Sequence, residues 1–258
     1  MASIGKNGNL CFSPQRIKMP FFYAFFLKVP DVQAGQPLSL LGGDMIAILD
    51  YKAGNQTSVL RALKFLGIPS VITADSEVLA RADGIIFPGV GSSAQAMDVL
   101  RGEHLDLCLA DAIARKQPVL GICLGCQILL EHSEEGNTRT LGLVKGECRK
   151  FPDTLLQEDG SPAPVPHMGW NTVSCTRDNE LFRGIDASAQ FYFVHSYYVA
   201  PEDDLVLGQT SYGGLTFCSV YGRSGLWAVQ FHPEKSGRFG LALLKNYHDY
   251  CKEAANAL

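Results

Sequence analysis

The chain has 258 residues, eight cysteines and a formal net charge of −4. Hydrophobic residues at 47% and charged residues at 19% are typical of a soluble globular protein, and the length suits one large α/β domain or two small ones. A mildly acidic chain without a cluster of Lys and Arg argues against nucleic acid or an anionic membrane as its partner. No apolar run reaches the length that a membrane-spanning helix needs.

The cysteines are scattered along the chain rather than spaced as a disulfide framework. They occupy positions 11, 108, 123, 126, 148, 175, 218 and 251. In a chain of this length, such a distribution favours a reducing compartment. We therefore expect a cytoplasmic protein.

Residues 1–44 differ in composition from the rest of the chain. A basic start and the apolar stretch 21–27 resemble a secretory signal, but Pro20 and Pro30 bracket that stretch and no small-residue cleavage site follows directly. An organellar transit peptide would contain more Ser and Arg. Met45 opens a clean first strand, and in a bacterial gene residues 42–45 can be encoded as a ribosome-binding sequence followed by ATG. We expect residues 1–44 to be a disordered extension or to lie outside the native protein.

From residue 45 onward, strands and helices alternate regularly. Strands are predicted at residues 46–50, 69–73, 84–87 and 118–122, and helices at residues 56–66, 76–82, 92–100, 105–115 and 124–130. Gly67 has the position of a C-terminal helix cap, and Ser76 that of an N-terminal cap. Continuous apolar strands that alternate with helices indicate a parallel sheet covered on both faces, with ligands at the carboxyl ends of its strands.

After residue 130 the sequence becomes rich in predicted strands. These cover residues 143–151, 173–175, 190–199, 205–211, 217–221 and 226–231, and a final helix is predicted at residues 236–251. Residues 222–225 are a turn signal that joins the last two strands as a hairpin. The Pro-rich residues 158–166 are predicted to form a surface loop.

Residues 118–130 contain the strongest chemical signal. Cys123 lies between Gly121 and Gly125, where an apolar strand meets an apolar helix. This G-x-C-x-G pattern is the cysteine form of the nucleophile elbow, whose crowded and strained turn needs small neighbours. A helix N-terminus favours the nucleophilic thiolate, and its N–H groups can hold a developing oxyanion.

Other interpretations of this stretch stay open at this point. Most cysteines are small buried hydrophobic residues. Cys123 and Cys126 could form a redox pair, which also lies at a helix start after a strand. Half of a zinc site is less well supported, because the chain has no second C-x-x-C and no His pair at ligand spacing. From these residues alone, a nucleophile and a redox pair are about equally supported.

The end of the last predicted strand decides between them. Residues 226–231 are followed by His232-Pro233-Glu234, and Pro233 excludes a helix and holds His232 extended. Residues two apart in an extended chain point the same way, so Glu234 can orient His232. With Cys123 these residues supply a nucleophile, a base and an orienting carboxylate, which a redox pair does not need. The other histidines considered lack this context and are interpreted as structural: His104, His132 and His248.

Residues 121–127 together with His232-Pro233-Glu234 resemble the class I, or triad, glutamine amidotransferases. Residues 88–91, 166–171 and 192–197 are similar to the glutaminase subunits of imidazole glycerol phosphate synthase, a branch of that family in histidine biosynthesis. The resemblance covers about residues 45–251 and implies a single amidotransferase domain over residues 45–258. Its implied fold is α/β and flavodoxin-like, with a mostly parallel central sheet, helices on both faces and a β-rich C-terminal half.

The sequence departs from the family pattern at three places. Cys126 stands where the family has a bulky residue or His, and it is a possible oxidation partner for Cys123. Residues 52–53 are Lys-Ala where the family is usually small, and Ser93 replaces a common aromatic residue. These departures affect the details of loop placement.

The resemblance implies a role for each matching residue. Cys123 would attack the side-chain amide of glutamine, His232 would protonate the departing ammonia and then activate water, and Glu234 would hold His232. The oxyanion hole would be formed by Gly89, Val90 and Leu124, and glutamine would be bound by Gly91, Gln127, His195, Ser196 and Tyr197. The alternatives are a surface helix residue for Gln127 and a core aromatic for Tyr197.

The resemblance also implies a partner. Ammonia would pass to a (β/α)8-barrel cyclase subunit in a heterodimer, which makes imidazole glycerol phosphate and an aminoimidazole carboxamide ribotide (AICAR). The matching interface residues are Asn55, Trp170, Tyr192 and Lys235, although Trp170 has a core tryptophan as its alternative. No metal or organic cofactor is implied.

Three rival functions remain. The chain could be the glutaminase subunit of another amidotransferase, in anthranilate, pyridoxal phosphate or purine synthesis, but residues 88–91 and 167–171 argue against it. It could be an inactive regulatory homologue, which the complete set of Cys123, His232 and Glu234 argues against. It could be a cysteine hydrolase of small peptides, which would need neither Gln127 nor a partner surface.

Overall fold

The computed structural model describes residues 45–52 and 54–256. The extension predicted at residues 1–44 lies outside the described residues. The start of the domain at residue 45 therefore stays a prediction.

Within the described part of the chain, fourteen strands and six α-helices are formed. The strands are β1 (Ile46–Leu49), β2 (Ser70–Thr73), β3 (Gly84–Gly89), β4 (Val119–Cys123), β5 (His132–Ser133), β6 (Thr138–Arg139), β7 (Gly146–Lys150), β8 (His167–Thr172), β9 (Ser174–Cys175), β10 (Gln190–His195), β11 (Tyr197–Pro201), β12 (Val206–Tyr212), β13 (Leu215–Arg223) and β14 (Leu226–Val229). The helices are α1 (Gln56–Phe65), α2 (Ser76–Arg81), α3 (Ser93–Gly102), α4 (Leu105–Ala114), α5 (Leu124–Ile128) and α6 (Gly237–Ala255).

A parallel group of strands forms the centre of the main sheet. Its order is β2-β1-β3-β4-β14, and every neighbouring pair in it is parallel. The carboxyl ends of β1, β3, β4 and β14 therefore lie at the same edge, where the loops after Leu49, Gly89, Cys123 and Val229 converge. This confirms the predicted parallel centre and the edge at which the candidate site was expected.

Antiparallel strands extend this sheet. β13 pairs with β14 as the predicted hairpin, and β11, β7 and β12 continue from it. The predicted β-rich C-terminal half is thus confirmed.

Apolar cores lie on both faces of the parallel strands. Ile46 and Ile48 of β1 enter one core, and Ala47 and Leu49 enter the other. The first core contains buried residues of α1 and α6, and the second contains buried residues of α2, α3, α4 and α5. This alternation explains why the strand sequences are apolar throughout, since side chains on both faces are buried.

One predicted strand is divided in two. Residues 190–199 were expected to form one strand, but the chain forms β10 and β11 on either side of Ser196. β10 pairs with β8 in a separate two-stranded ribbon, while β11 joins the main sheet. The single-strand prediction was wrong because residue pattern alone does not show where a strand changes sheets.

β8 itself was not predicted. In it His167 is buried, while Met168 and Trp170 are exposed. A strand that turns polar residues inward and apolar residues outward inverts the alternation on which strand prediction depends.

The caps of two helices were also predicted. Gly67 follows α1 with φ of 70°, the left-handed conformation expected of a helix-ending glycine. The N-terminal cap of α2 is Asp75 rather than Ser76, because the Asp75 carboxylate accepts hydrogen bonds from the N–H groups of Glu77 and Val78 at 2.8 and 3.3 Å.

We expect Gly125→Ala to destabilise the fold strongly. A Cβ atom at Gly125 would lie 1.9 Å from the carbonyl oxygen of Phe87, so α5 would have to move away from β3. We expect the free energy of unfolding in denaturant to fall by about 3 kcal/mol or more.

The control is Gly102→Ala, in the last turn of α3. A Cβ atom there would meet nothing within 4 Å, so the helix-favouring substitution is expected to be neutral or slightly stabilising. Equal effects of the two substitutions would show that α5 is not held this closely against β3.

Candidate active site

The chain turns sharply at Cys123, between β4 and α5. Cys123 has φ of 53° and ψ of −107°, a backbone conformation that side-chain-bearing residues rarely adopt. A Cβ atom at Gly121 would lie 2.9 Å from Leu129 Cδ1 and 3.1 Å from the Cys126 backbone nitrogen. Both glycines of the G-x-C-x-G pattern are thus required by close packing. α5 ends at Ile128, two residues earlier than predicted.

His232 and Glu234 form a buried pair beside this turn. The Glu234 Oε1 atom lies 2.8 Å from His232 Nδ1, and both side chains are fully buried. The carboxylate can only accept, so Nδ1 carries the proton and Nε2 is the atom left for Cys123. Among the described residues, Nε2 has no conventional hydrogen-bond partner.

The local conformation of this pair differs from the predicted one. Residues 232–234 were expected to be fully extended, but Pro233–Lys235 form a short 3-10 helix with Pro233 in its first turn. Proline is compatible with the first turn of a helix, where its missing N–H is not needed. The turn brings the Glu234 carboxylate back to the ring, so the predicted pairing forms by a different route.

The surroundings of His232 favour its protonated form. Burial lowers the pKa of His232, but Cys123 and the Glu234 carboxylate outweigh burial and raise it to about 10. The protonated ring lies next to Cys123, where it can give its proton to a leaving group.

Asn55 supports the same pair. Its Nδ2 atom donates a 2.8 Å hydrogen bond to Glu234 Oε1 and lies 3.3 Å from His232 Nδ1. The sequence assigned Asn55 only to a partner interface. Its position in the loop after β1, at the edge of the sheet where the site lies, is the signal that could have placed it here.

Two glutamine side chains connect the thiol to β11. Gln127 is buried, and its Nε2 atom donates to the Tyr197 carbonyl at 2.9 Å and to Gln230 Oε1 at 3.2 Å. Gln230 Nε2 in turn lies 3.9 Å from Cys123 Sγ. The surface interpretation of Gln127 is therefore wrong. Gln230 was not predicted, although a polar residue two positions before His232 in an apolar strand was a usable signal.

The residues predicted for the oxyanion hole lie around Cys123. Gly89 is the register partner of Cys123 between β3 and β4, and Leu124 is the first residue of α5. Val90 and Gly91 continue from Gly89, and Gly91 has φ of 100°.

A directed chain of hydrogen bonds ends at the Tyr197 carbonyl. This oxygen accepts from His195 Nδ1 at 2.7 Å, so His195 Nε2 is the acceptor for His167 Nδ1 at 3.1 Å. His167 Nε2 then accepts from Asn171 Nδ2 at 3.3 Å. Each ring donates once and accepts once, which requires both histidines to be neutral. The His195 ring is thus engaged with protein groups, and Tyr197 is only partly buried.

Burial keeps this histidine pair neutral. It lowers the pKa of His167 to about 4 and, together with the neighbouring His167 and His232, that of His195 to about 3, against the opposing effect of the Tyr197 carbonyl. A proton on either ring would break the chain of hydrogen bonds.

Two of the predicted interface residues, Trp170 and Tyr192, lie on the outer face of the β8–β10 ribbon. Trp170 is 53% exposed and faces Tyr192 across the ribbon, with ring centroids 6.1 Å apart. Met168 is 62% exposed beside it, and Lys235 is exposed after the His232–Glu234 turn. Trp170 is therefore not a core residue.

The cysteines do not form a redox pair in this structure. Cys123 and Cys126 are both free thiols, and burial raises the pKa of Cys126 well above its usual value. A thiol that ionises so poorly is a weak partner for thiol exchange.

Residues 45–52 and 54–256 contain no group of three or more His, Cys, Asp or Glu side chains that could hold a metal ion. In the same residues, no helix is both long and apolar enough to cross a membrane.

The fold agrees with comparisons to known proteins. The family described as glutamine amidotransferase class-I matches residues 47–248. A solved glutamine amidotransferase matches with a TM-score of 0.61 and 16% identity over 80% of this chain and 98% of its own. The PurLQS structure from Thermotoga maritima matches with a TM-score of 0.62 and 18% identity over 81% and 99%. These two structures support the fold alone.

Curated relatives assign the chain to a narrower group within this family. A protein of Maridesulfovibrio salexigens is 59% identical over 83% of this chain and 100% of its own length, and one of Desulfovibrio desulfuricans is 60% identical over 81% and 96%. One of Moorella thermoacetica is 45% identical over 82% and 98%. All three are named imidazole glycerol phosphate synthase subunit HisH. The chain therefore belongs to the class I glutamine amidotransferases and, within them, to the HisH subunit family.

Because His167 and His195 are buried in their neutral form, we expect the stability of the fold to depend on pH. An unfolded histidine has a pKa near 6.5, so below that pH the unfolded chain binds protons that His167 and His195 cannot accept when folded. We expect the free energy of unfolding to fall as the pH is lowered from about 6.5 towards 4, by up to about 1.4 kcal/mol per pH unit for each histidine.

Urea unfolding of His167→Gln between pH 7.5 and 4.5 measures this contribution. The free energy of unfolding of His167→Gln should fall less steeply with decreasing pH than that of the wild type. The control His104→Asn, at an exposed position, should keep the wild-type dependence on pH. The same slope in the wild type and in His167→Gln would mean that His167 does not titrate as described.

Proposed function

We propose that this chain is the glutaminase subunit of imidazole glycerol phosphate synthase in histidine biosynthesis. It hydrolyses glutamine to glutamate and ammonia and delivers the ammonia to a cyclase subunit. The observation that carries the proposal is the turn at Cys123 with the buried His232–Glu234 pair beside it. The HisH names of the relatives support the choice of complex.

The first half of the reaction forms a thioester. The Cys123 thiolate attacks the side-chain amide carbon of glutamine, and the carbonyl oxygen becomes an oxyanion. The N–H groups of Leu124 and of the Gly89–Val90 segment stabilise that oxyanion. When the tetrahedral intermediate collapses, His232 Nε2 gives its proton to the departing nitrogen, which leaves as ammonia.

The second half regenerates the thiolate. His232, now neutral, takes a proton from water through Nε2, and the resulting hydroxide attacks the thioester carbon. Collapse of this intermediate releases glutamate and returns Cys123 and protonated His232 to their starting state. Glu234 and Asn55 hold the ring so that Nε2 faces Cys123 in both halves.

The α-amino and α-carboxylate groups of glutamine are assigned to the segment around β11. Gly91, Gln127, His195, Ser196 and Tyr197 would form this part of the pocket. His195 contributes through its bond to the Tyr197 carbonyl, which also holds the Gln127 amide in place. Both act on glutamine binding rather than on the attacked amide.

The partner is proposed to dock on the outer face of the β8–β10 ribbon. Met168 and Trp170 are exposed there, and Tyr192 and Val194 are their register partners. An exposed apolar patch of this kind is typical of a protein interface. The proposed partner is a (β/α)8-barrel cyclase in a heterodimer, with Lys235 and Asn55 at the edge of the contact.

The position of Asn55 suggests how docking of the partner would affect the catalytic residues. It is half-buried and hydrogen-bonded to Glu234, so a partner group that moves Asn55 also moves the orienting carboxylate. We further propose that the Gly89–Val90 N–H points away from the substrate in the free subunit. Cyclase loaded with its nucleotide would shift this loop to the stabilising orientation.

Glutamate release from glutamine tests the proposal. We expect little activity from the chain alone, a rise of roughly a hundredfold with nucleotide-loaded cyclase, since an oxyanion-hole donor is worth that much, and no activity from Cys123→Ala under either condition.

Trp170→Ala serves as the control for docking. It should lose the response to cyclase at low partner concentration, recover at high concentration, and keep the basal rate.

Full activity of the isolated chain would reject partner gating but keep the triad. A response to another synthase subunit, and none to the cyclase, would favour the rival amidotransferase function. Activity in Cys123→Ala would overturn the proposal.

A further inference from the structure

A buried tyrosine lies against the predicted oxyanion loop. Tyr51 follows β1 and is almost completely buried, and its ring meets Phe87 edge to face with centroids 5.3 Å apart. Its hydroxyl donates a 2.8 Å hydrogen bond to the carbonyl oxygen of Pro88. None of the sequence patterns assigned a role to Tyr51.

This hydrogen bond fixes one peptide plane next to the site. Because the Pro88 carbonyl is held by Tyr51, the peptide between Pro88 and Gly89 cannot rotate without losing a buried hydrogen bond. A Cβ atom at Gly89 would lie 2.0 Å from the Tyr51 hydroxyl oxygen and 2.9 Å from Leu124 Cβ. Gly89 is thus closely packed between the tyrosine and the first residue of α5.

The next peptide is the first that is free of this constraint. Val90 is 37% exposed, and a Cβ atom at Gly91 would meet nothing within 4 Å, so the close packing around Gly89 does not continue along the chain. A held peptide followed by a less closely packed one would let a single N–H group reorient beside Cys123.

The Tyr51 hydroxyl is a permanent donor. Burial and, to a smaller degree, the nearby Cys123 raise the pKa of Tyr51 far above its usual value, so the phenol keeps its proton at any physiological pH. The Tyr51 hydroxyl therefore keeps the proton that it donates to the Pro88 carbonyl.

We infer that Tyr51 is a positioning residue for the oxyanion hole, and this inference rests on the proposed glutaminase function. Its hydroxyl holds the Pro88–Gly89 peptide through the Pro88 carbonyl, so that the Gly89–Val90 N–H can be aimed at the oxyanion. Tyr51 acts on the transition state and not on the binding of glutamine. It does not activate the thiol.

Tyr51→Phe tests this inference in the complex with nucleotide-loaded cyclase. The change removes the hydroxyl and keeps the ring, at a cost in stability of about 1–3 kcal/mol, which a folded domain tolerates. We expect kcat for glutamine hydrolysis to fall roughly tenfold or more, because transition-state contacts are lost, while KM changes by less than about twofold.

Tyr247→Phe is the matched control. Tyr247 is also fully buried, and its hydroxyl bonds the carbonyls of Ile85 and Pro118, both at 2.9 Å, near the amino-terminal ends of β3 and β4. It should lose at least as much stability in thermal unfolding and keep the wild-type kcat. Equal kcat losses in the two variants would mean that Tyr51 acts only through stability, and would overturn the inference.

Alkylation of Cys123 by iodoacetamide separates the oxyanion hole from thiol activation. This displacement forms no tetrahedral oxyanion, so its rate at Cys123, followed by peptide mass spectrometry, should be the same in Tyr51→Phe and wild type. A parallel loss of alkylation and kcat would show that Tyr51 acts on the thiolate instead. An inactive wild-type complex would defeat the proposed function itself, whereas an active Tyr51→Phe would defeat only the inference.

Discussion

The close approach of α5 to β3 is the constraint on which the site depends. Any side chain at Gly125 would clash with the Phe87 carbonyl oxygen. Gly121 is likewise closely packed against residues at and after α5. With α5 held this closely, the chain must reverse within one residue, and Cys123 takes up the strained conformation at the turn. The strain places the thiol above the sheet edge and points the N-terminus of α5 at the same place.

The carboxyl ends of the parallel strands bring the other groups of the candidate site close to the thiol. Four neighbouring strands end at this edge, and each contributes one group: Asn55 after β1, Gly89 at the end of β3, Cys123 at the end of β4 and His232 after β14. The buried hydrogen bond between His232 and Glu234 fixes the imidazole ring, and Asn55 donates to the same carboxylate oxygen, Glu234 Oε1. Hydrogen bonds among these groups offset part of the cost of burying them, while Glu234 Oε2 and His232 Nε2 have no hydrogen-bond partner among the described residues.

The sequence predicted the parts of the site that local rules dictate. The G-x-C-x-G pattern after an apolar strand predicts the sharp turn at Cys123. The His-Pro-Glu pattern after another strand predicts a histidine near that turn. The roles of Asn55 and Gln230 were missed because each depends on contacts more than a hundred residues away in the chain. β8 was missed because its outward Trp170 and Met168 reverse the alternation on which strand prediction depends.

The most direct test of the account is to trap the proposed intermediate on Cys123. The chain with nucleotide-loaded cyclase would be acid-quenched during glutamine turnover, digested and analysed by mass spectrometry. The account predicts a glutamyl thioester on the peptide that contains Cys123, formed only when glutamine is present. Steady turnover with an adduct on Cys126 or another residue, or with none on a Cys123 peptide under conditions that preserve thioesters, would contradict it.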